Sequence, residues 1–158
     1  MSDPEHEPDE APEHDSATEQ DGASQRSRDA RAGGTTTSGI RVQVKTAYLP
    51  AMSSPRESQF LFAYTIKISN VGYETAQLLS RHWIITDADG EVHEVRGAGV
   101  VGQQPVLEPG MSYEYTSYCP LKTNVGTMEG SYTMVRPGGE QFEARIAPFT
   151  LAVPNALN

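Results

Sequence analysis

Between residues 60 and 69 every second side chain is large and apolar, with Phe60, Phe62, Tyr64, Ile66 and Ile68 on one side. The other side passes from Leu61 and Ala63 to Thr65, Lys67 and Ser69. Successive side chains of an extended backbone point to opposite faces, so a period of two buries one face of a β-strand and would scatter around a helix. Ile40, Val42 and Val44 alternate with Arg41, Gln43 and Lys45 in the same way. Asn70-Val71-Gly72 supplies a turn, and residues 77–87 read as a third strand rich in Leu, Ile and Trp83. Asp89-Gly90 favours a hairpin, because glycine takes a positive φ at low steric cost, and residues 91–96 return as a fourth strand. Pro109-Gly110 precedes a strand at 112–118, and Pro137-Gly138-Gly139 separates strands at 130–135 and 141–146 from each other, with 149–153 as a final short one. No window of eleven or more residues carries a helical stripe. Seven or eight short strands with turn signals at this spacing predict an all-β, two-sheet sandwich.

Charge divides the chain in two. Residues 1–39 hold ten acids and three bases (Arg26, Arg28 and Arg31), a balance of −7 out of the −9 carried by all 158 residues. This stretch contains no aromatic residue and no Ile, Leu or Val. It cannot bury enough apolar surface to offset chain entropy, and we expect a disordered acidic tail, solvated and favouring solubility. His6 and His14 sit among its carboxylates without the fixed geometry that selective metal binding needs. The expected domain is therefore residues 40–158, large enough for one core.

The same composition excludes several classes. The N-terminus has neither the basic nor the apolar region of a secretory signal, and no run of about 18 apolar residues is present to span a membrane. One cysteine, Cys119, cannot form an internal disulfide, which points to a reducing, cytoplasmic setting. Lys and Arg are not clustered, so no nucleic acid is expected as a partner.

Gly97-Ala98-Gly99-Val100-Val101-Gly102 fits G-x-G-x-x-G, a pattern associated with dinucleotides. The chemistry of that pattern depends on a following helix, whose first amides hold the pyrophosphate. Pro105 and Pro109 follow too closely for a helix to start, so an inter-strand loop is expected, with an anion-binding nest of amides beside Arg96 as the alternative. His82 and His93 fall on the two arms of the hairpin with Asp87, Asp89, Glu91 and Glu94 near its turn. Reversal at Asp89-Gly90 sets His93 opposite roughly position 86, too far along from His82 for the two to chelate one ion. Cys119 has no neighbouring base to activate it and is expected to be a buried thiol. Ser80 shares a face with His82, but no third member of a catalytic set is identifiable.

The blocks LLSRHWIITDADG, EVRGAGVVGQQPVLEPG, YTSYCPLKTNVGTMEGSY and PFTLAVPNAL, spread between about residue 40 and the C-terminus, closely resemble the ApaG family of bacterial proteins and of domains in larger eukaryotic proteins. The resemblance implies an immunoglobulin or fibronectin type III-like sandwich. It also implies partner recognition, since related domains occur in an F-box substrate adaptor and in a protein associated with DNA polymerase. Bacterial members are encoded near a diadenosine tetraphosphate hydrolase and an rRNA methyltransferase, and some are described as cobalt or magnesium efflux proteins, a link that would be indirect for a chain without a spanning segment. We therefore expect a non-enzymatic module, with no cofactor, that binds an unidentified protein. Its candidate surface is the loop from Arg96 through Gly97, Gly99 and Gly102, together with Arg81, Tyr73 and Glu94. The alternatives are a nucleotide polyphosphate or other anion at the same glycines, and a divalent cation at His82 or His93.

Overall fold

The computed structural model describes residues 34–156. The expected tail thus lies outside the described residues, apart from its last few positions. Those positions are already structured: β1 (Thr35–Thr37) pairs antiparallel with β2 (Ile40–Tyr48), so the sheet begins ahead of the expected boundary at Ile40. Three threonines carry no apolar alternation, and backbone pairing alone makes this strand. Two short 3-10 turns (Pro50–Met52 and Pro55–Glu57) lead to β3 (Phe60–Asn70). Then follow β4 (Ala76–Asp87), β5 (Val92–Ala98), β6 (Val106–Leu107), β7 (Ser112–Leu121), β8 (Val125–Val135) and β9 (Gln141–Ala152).

Two antiparallel sheets form a sandwich. The first has the order β1-β2-β3-β7, the second β5-β4-β8-β9, with β6 paired to the start of β4. The described residues thus contain nine strands where seven or eight were expected. The two-residue β6 and three-residue β1 are too short to show a period. Conversely, the strands expected at 141–146 and 149–153 are one, running through Pro148. β9 is an edge strand, where a missing N–H costs no ladder bond, and a register shift between Met128 and Gly130 on β8 absorbs the irregularity.

The even face of β3 and the odd face of β7 bury Phe62, Ile66, Ile68 and Tyr115 against Trp83, Tyr132, Met134 and Ile146 of the other sheet. Trp83 is 1% exposed, and its ring meets Tyr64, Tyr132 and Phe149 edge-on at centroid distances of 5.4, 6.3 and 5.9 Å. Burial of each large apolar side chain contributes roughly 1.5–3 kcal/mol, and edge-on aromatic pairs add about 0.5–1.5 kcal/mol each. A polar contact crosses this core. The hydroxyls of Tyr115 on β7 and Tyr132 on β8 lie 2.5 Å apart and join the two sheets.

Candidate functional site

β4 holds the feature that arranges the glycine segment. Its pairing with β8 shifts register between Leu78 and Ser80, so Leu79 is a bulge. Before the bulge the even residues Ala76 and Leu78 are buried, and after it the odd residues Trp83 and Asp87 are. The phase change turns Arg81 inward. Its guanidinium donates to the carbonyls of Ala98 at 3.0 Å and Gly99 at 2.8 Å, and it lies over Gly97, where a built Cβ would meet Nη2 at 2.7 Å. Burial lowers the pKa of Arg81, an effect opposed by Tyr115 and Tyr132. Tyr132 is itself pushed well up by burial.

The bulge carbonyl anchors the loop from the other side. Leu79 O accepts from Gly99 N at 2.8 Å and from Gln104 Nε2 at 2.9 Å, and Gln77 Nε2 donates to Gln104 O at 3.1 Å. Val100 and Gln103 exchange both backbone hydrogen bonds, at 2.8 and 2.9 Å, which closes a two-residue turn over Val101 and Gly102. Both central residues have positive φ, +42° at Val101 and +77° at Gly102, a strained geometry for a β-branched side chain. Burial of Val100 and Val101 in the core holds it there. The inter-strand loop is thus a pinned hairpin. The amides of Gly99, Val100 and Gln103 donate to carbonyls of the chain rather than opening toward an anion, and Arg81 faces carbonyl oxygens.

The candidate residues separate into three places. Arg81, Gly97 and Gly99 come together as described. Arg96 pairs with His82 and Glu94 with Ile84, so both stand on the outer face of the second sheet, opposite to Arg81. Tyr73 lies in the turn between β3 and β4 and is 99% exposed. His93 pairs with Ile85, one position from the expected register, so the two histidines stand on opposite faces of the sheet, His93 exposed at its edge and His82 half-buried. His82 Nε2 is 3.6 Å from Glu94 Oε1, His93 Nε2 is 3.4 Å from Glu91 Oε1, and among the described residues no three His, Cys, Asp or Glu side chains gather as a metal site. Cys119 is 2% exposed, and burial pushes its thiol up to about 12.

The model of the ApaG domain family matches residues 50–136. The chain belongs to the ApaG family. Protein ApaG of Pseudomonas putida is 58% identical over 119 residues, covering 75% of this chain and 94% of that one. Protein ApaG of Anaeromyxobacter sp. strain K is 57% identical over 122 residues, covering 77% and 96%. The crystal structure of the putative ApaA protein from Bordetella pertussis is 53% identical, with a TM-score of 0.72 over 74% of this chain and 95% of that one.

Within this ApaG domain, sequence reasoning missed Asn70. Its side chain is buried and donates to Glu74 O at 2.7 Å and Leu107 O at 2.9 Å, while Oδ1 accepts from Gly72 N at 3.0 Å. Its backbone N donates to Met111 O, and its backbone O accepts from Gly110 N. Asn70 therefore ties the Tyr73 turn to the segment between β6 and β7. Around it Val71, Val106 and Met111 are exposed along with Tyr73. The sequence signal was an asparagine at the inward parity of β3, where Phe62 to Ile68 are apolar. Arg136 was missed as well. It pairs with Glu74 at 3.4 Å and donates to Ser38 O at 2.9 Å, both contacts across long sequence separations, and it covers the Phe142 ring of its own hairpin at 4.4 Å.

Proposed function

We propose that this ApaG-family chain is a non-enzymatic protein-binding module whose contact surface is the end of the sandwich bearing Tyr73, Val71, Val106 and Met111. One observation carries the reading: Tyr73 is 99% exposed on a turn whose backbone Asn70 and Gly39 hold by hydrogen bonds. An aromatic ring left wholly in water, beside three other exposed apolar side chains, marks a surface that gains by being covered. Tyrosine is also a frequent energetic anchor of protein interfaces, and a fixed turn lowers the entropy lost on binding. Tyr73 is the one member of the expected surface in this place. Arg81, Gly97 and Gly99 hold the pinned hairpin and are not part of that surface.

Cys119 fits the same view, because it is a buried thiol whose pKa is raised to about 12 and is a poor nucleophile at neutral pH. The test is site-specific photo-crosslinking in the native host, with a benzophenone side chain in place of Tyr73 or Met111 and, as a control, in place of Glu91. A single protein trapped from positions 73 and 111 but not from 91 supports the reading. Identical patterns from all three positions, or none from any, would falsify it.

A further inference from the structure

The two outer faces of the sandwich differ in charge. On the second sheet, cross-strand pairing sets Arg96 and Arg145 among Glu94, Glu129 and Glu143, so acids outnumber fixed cations. On the first sheet the outward positions of β2 and β3 follow from the register Arg41↔Ser69, Gln43↔Lys67 and Lys45↔Thr65, and Ser69, Lys67 and Thr65 in turn face Ser112, Glu114 and Thr116 of β7. The hydroxyl pairs Thr65–Thr116 and Ser69–Ser112, each at 2.8 Å, confirm that these residues share one face. It carries Arg41, Lys45 and Lys67 against one carboxylate, Glu114. A chain of net charge −9 thus presents one positive face.

The chain enters the sheet on that face. A Cβ built on Gly34 would meet Gln43 Cγ at 2.6 Å and Arg41 Cγ at 3.2 Å, so the backbone arrives against two of the outward side chains. Immediately before it stand residues 1–33, which hold ten acids and three bases. The cationic positions extend four residues along β2, roughly 13 Å at strand rise, and 33 residues reach across that distance several times over.

We infer that residues 1–33 bind back onto the outer face of the first sheet, with their carboxylates against Arg41, Lys45 and Lys67. The contact is electrostatic, with Lys45 exposed and Arg41 and Lys67 half-buried, and so weakens as salt shortens the screening length. It covers the one face of the domain that would attract another acidic surface. This inference is independent of the Tyr73 surface, which lies at the end of the sandwich.

The experiment uses the full chain with Ser16→Cys carrying a nitroxide; Cys119 is buried and stays unlabelled. Paramagnetic broadening of amide signals is read by NMR. Expected is a loss of roughly half or more of the intensity at Gln43, Lys45, Lys67 and Thr116 at about 20 mM NaCl, with recovery at about 500 mM. Ser131 and Thr133, on the outer face of the second sheet, keep their intensity. The charge-reversed chain Lys45→Glu/Lys67→Glu loses the effect at low salt; should that variant fold poorly, the salt titration of the unaltered face decides alone. Equal broadening on both faces, no broadening, or broadening indifferent to salt overturns the inference. So does broadening that arises only when spin-labelled and isotope-labelled chains are mixed, since the occupant is then the segment of a second copy.

Discussion

Gly97, Gly99 and Gly130 differ in what an added methyl group would strike. At Gly130 a Cβ would lie 1.9 Å from the backbone oxygen of His82, and at Gly99 it would lie 2.4 Å from the backbone oxygen of Gln103 with φ already at +65°. Backbone cannot swing aside, so both alanine variants must distort a strand pairing or the pinned turn. At Gly97 the obstacle is the Arg81 guanidinium, the end of a flexible side chain, which can leave only by giving up its bonds to Ala98 and Gly99. Chemical denaturation is expected to rank the losses Gly130→Ala above Gly99→Ala above Gly97→Ala, with the last near 1–2 kcal/mol, the scale of charged hydrogen bonds. Gly138, which has nothing within 4 Å of a built Cβ, is expected to tolerate alanine within about 0.5 kcal/mol. Combining Gly97→Ala with Arg81→Met is expected to cost less than the sum of the two changes, because both remove the same contact. Strict additivity in that cycle would mean that Arg81 does not act through the glycine segment.

Strands and turns are joined here by a few polar ties whose loss should be felt at both ends of the tie. Asn70→Ala removes three side-chain hydrogen bonds from a buried position and is expected to destabilise the fold by about 2–3 kcal/mol. The same change is expected to speed hydrogen exchange at Gly72 and Gly110 more than at residues of the sheet centre, and to reduce crosslinking from position 73. Uniform acceleration across the molecule would show that Asn70 adds stability without positioning the Tyr73 turn. The Tyr115–Tyr132 contact acts between sheets instead of within one. Tyr132→Phe keeps the ring that packs on Trp83 and removes the hydroxyl, so about 1 kcal/mol is the expected loss, read from the unfolding midpoint.

Across the whole molecule, buried acids with raised pKa values bind their protons more tightly in the folded chain than in the unfolded one. For Cys119 the ordinary value of 9.0 rises to about 12, so its contribution is complete below pH 9 and is lost as pH climbs from 9 toward 12. Tyr132 shifts in the same direction, also through burial. Stability should therefore fall above pH 9, and Cys119→Val is expected to flatten the slope by up to about 1.4 kcal/mol per pH unit, measured by urea unfolding between pH 8.5 and 10.5. An unchanged slope would show that the thiol does not ionise on unfolding in this range. Iodoacetamide should likewise modify Cys119 only at the rate of global opening.

The sequence by itself determined the class of fold and the membership of most strands, because which face of an extended segment is apolar depends only on parity along the chain. Phe60 to Ile68, Trp83 and the Asp89-Gly90 hairpin could be read at that level, as could a buried Cys119. What lay beyond it depends on neighbours distant in the chain. The bulge at Leu79 left a faint mark, the switch from even to odd apolar positions between Leu78 and Trp83, yet only pairing with β8 shows that it turns Arg81 inward onto Gly97. Pairing with β5 separates Arg81 from Arg96 and Glu94, which the expected surface had grouped, and sets His93 against Ile85, away from His82 as the hairpin reversal already implied. β1 and β6 have no apolar pattern to announce them, and Pro148 interrupts a strand only where a sheet needs its N–H. The exposed end around Tyr73 and the positive face around Lys45 are likewise products of which strands became neighbours, since alternation assigns a residue to a face but says nothing of who stands beside it there.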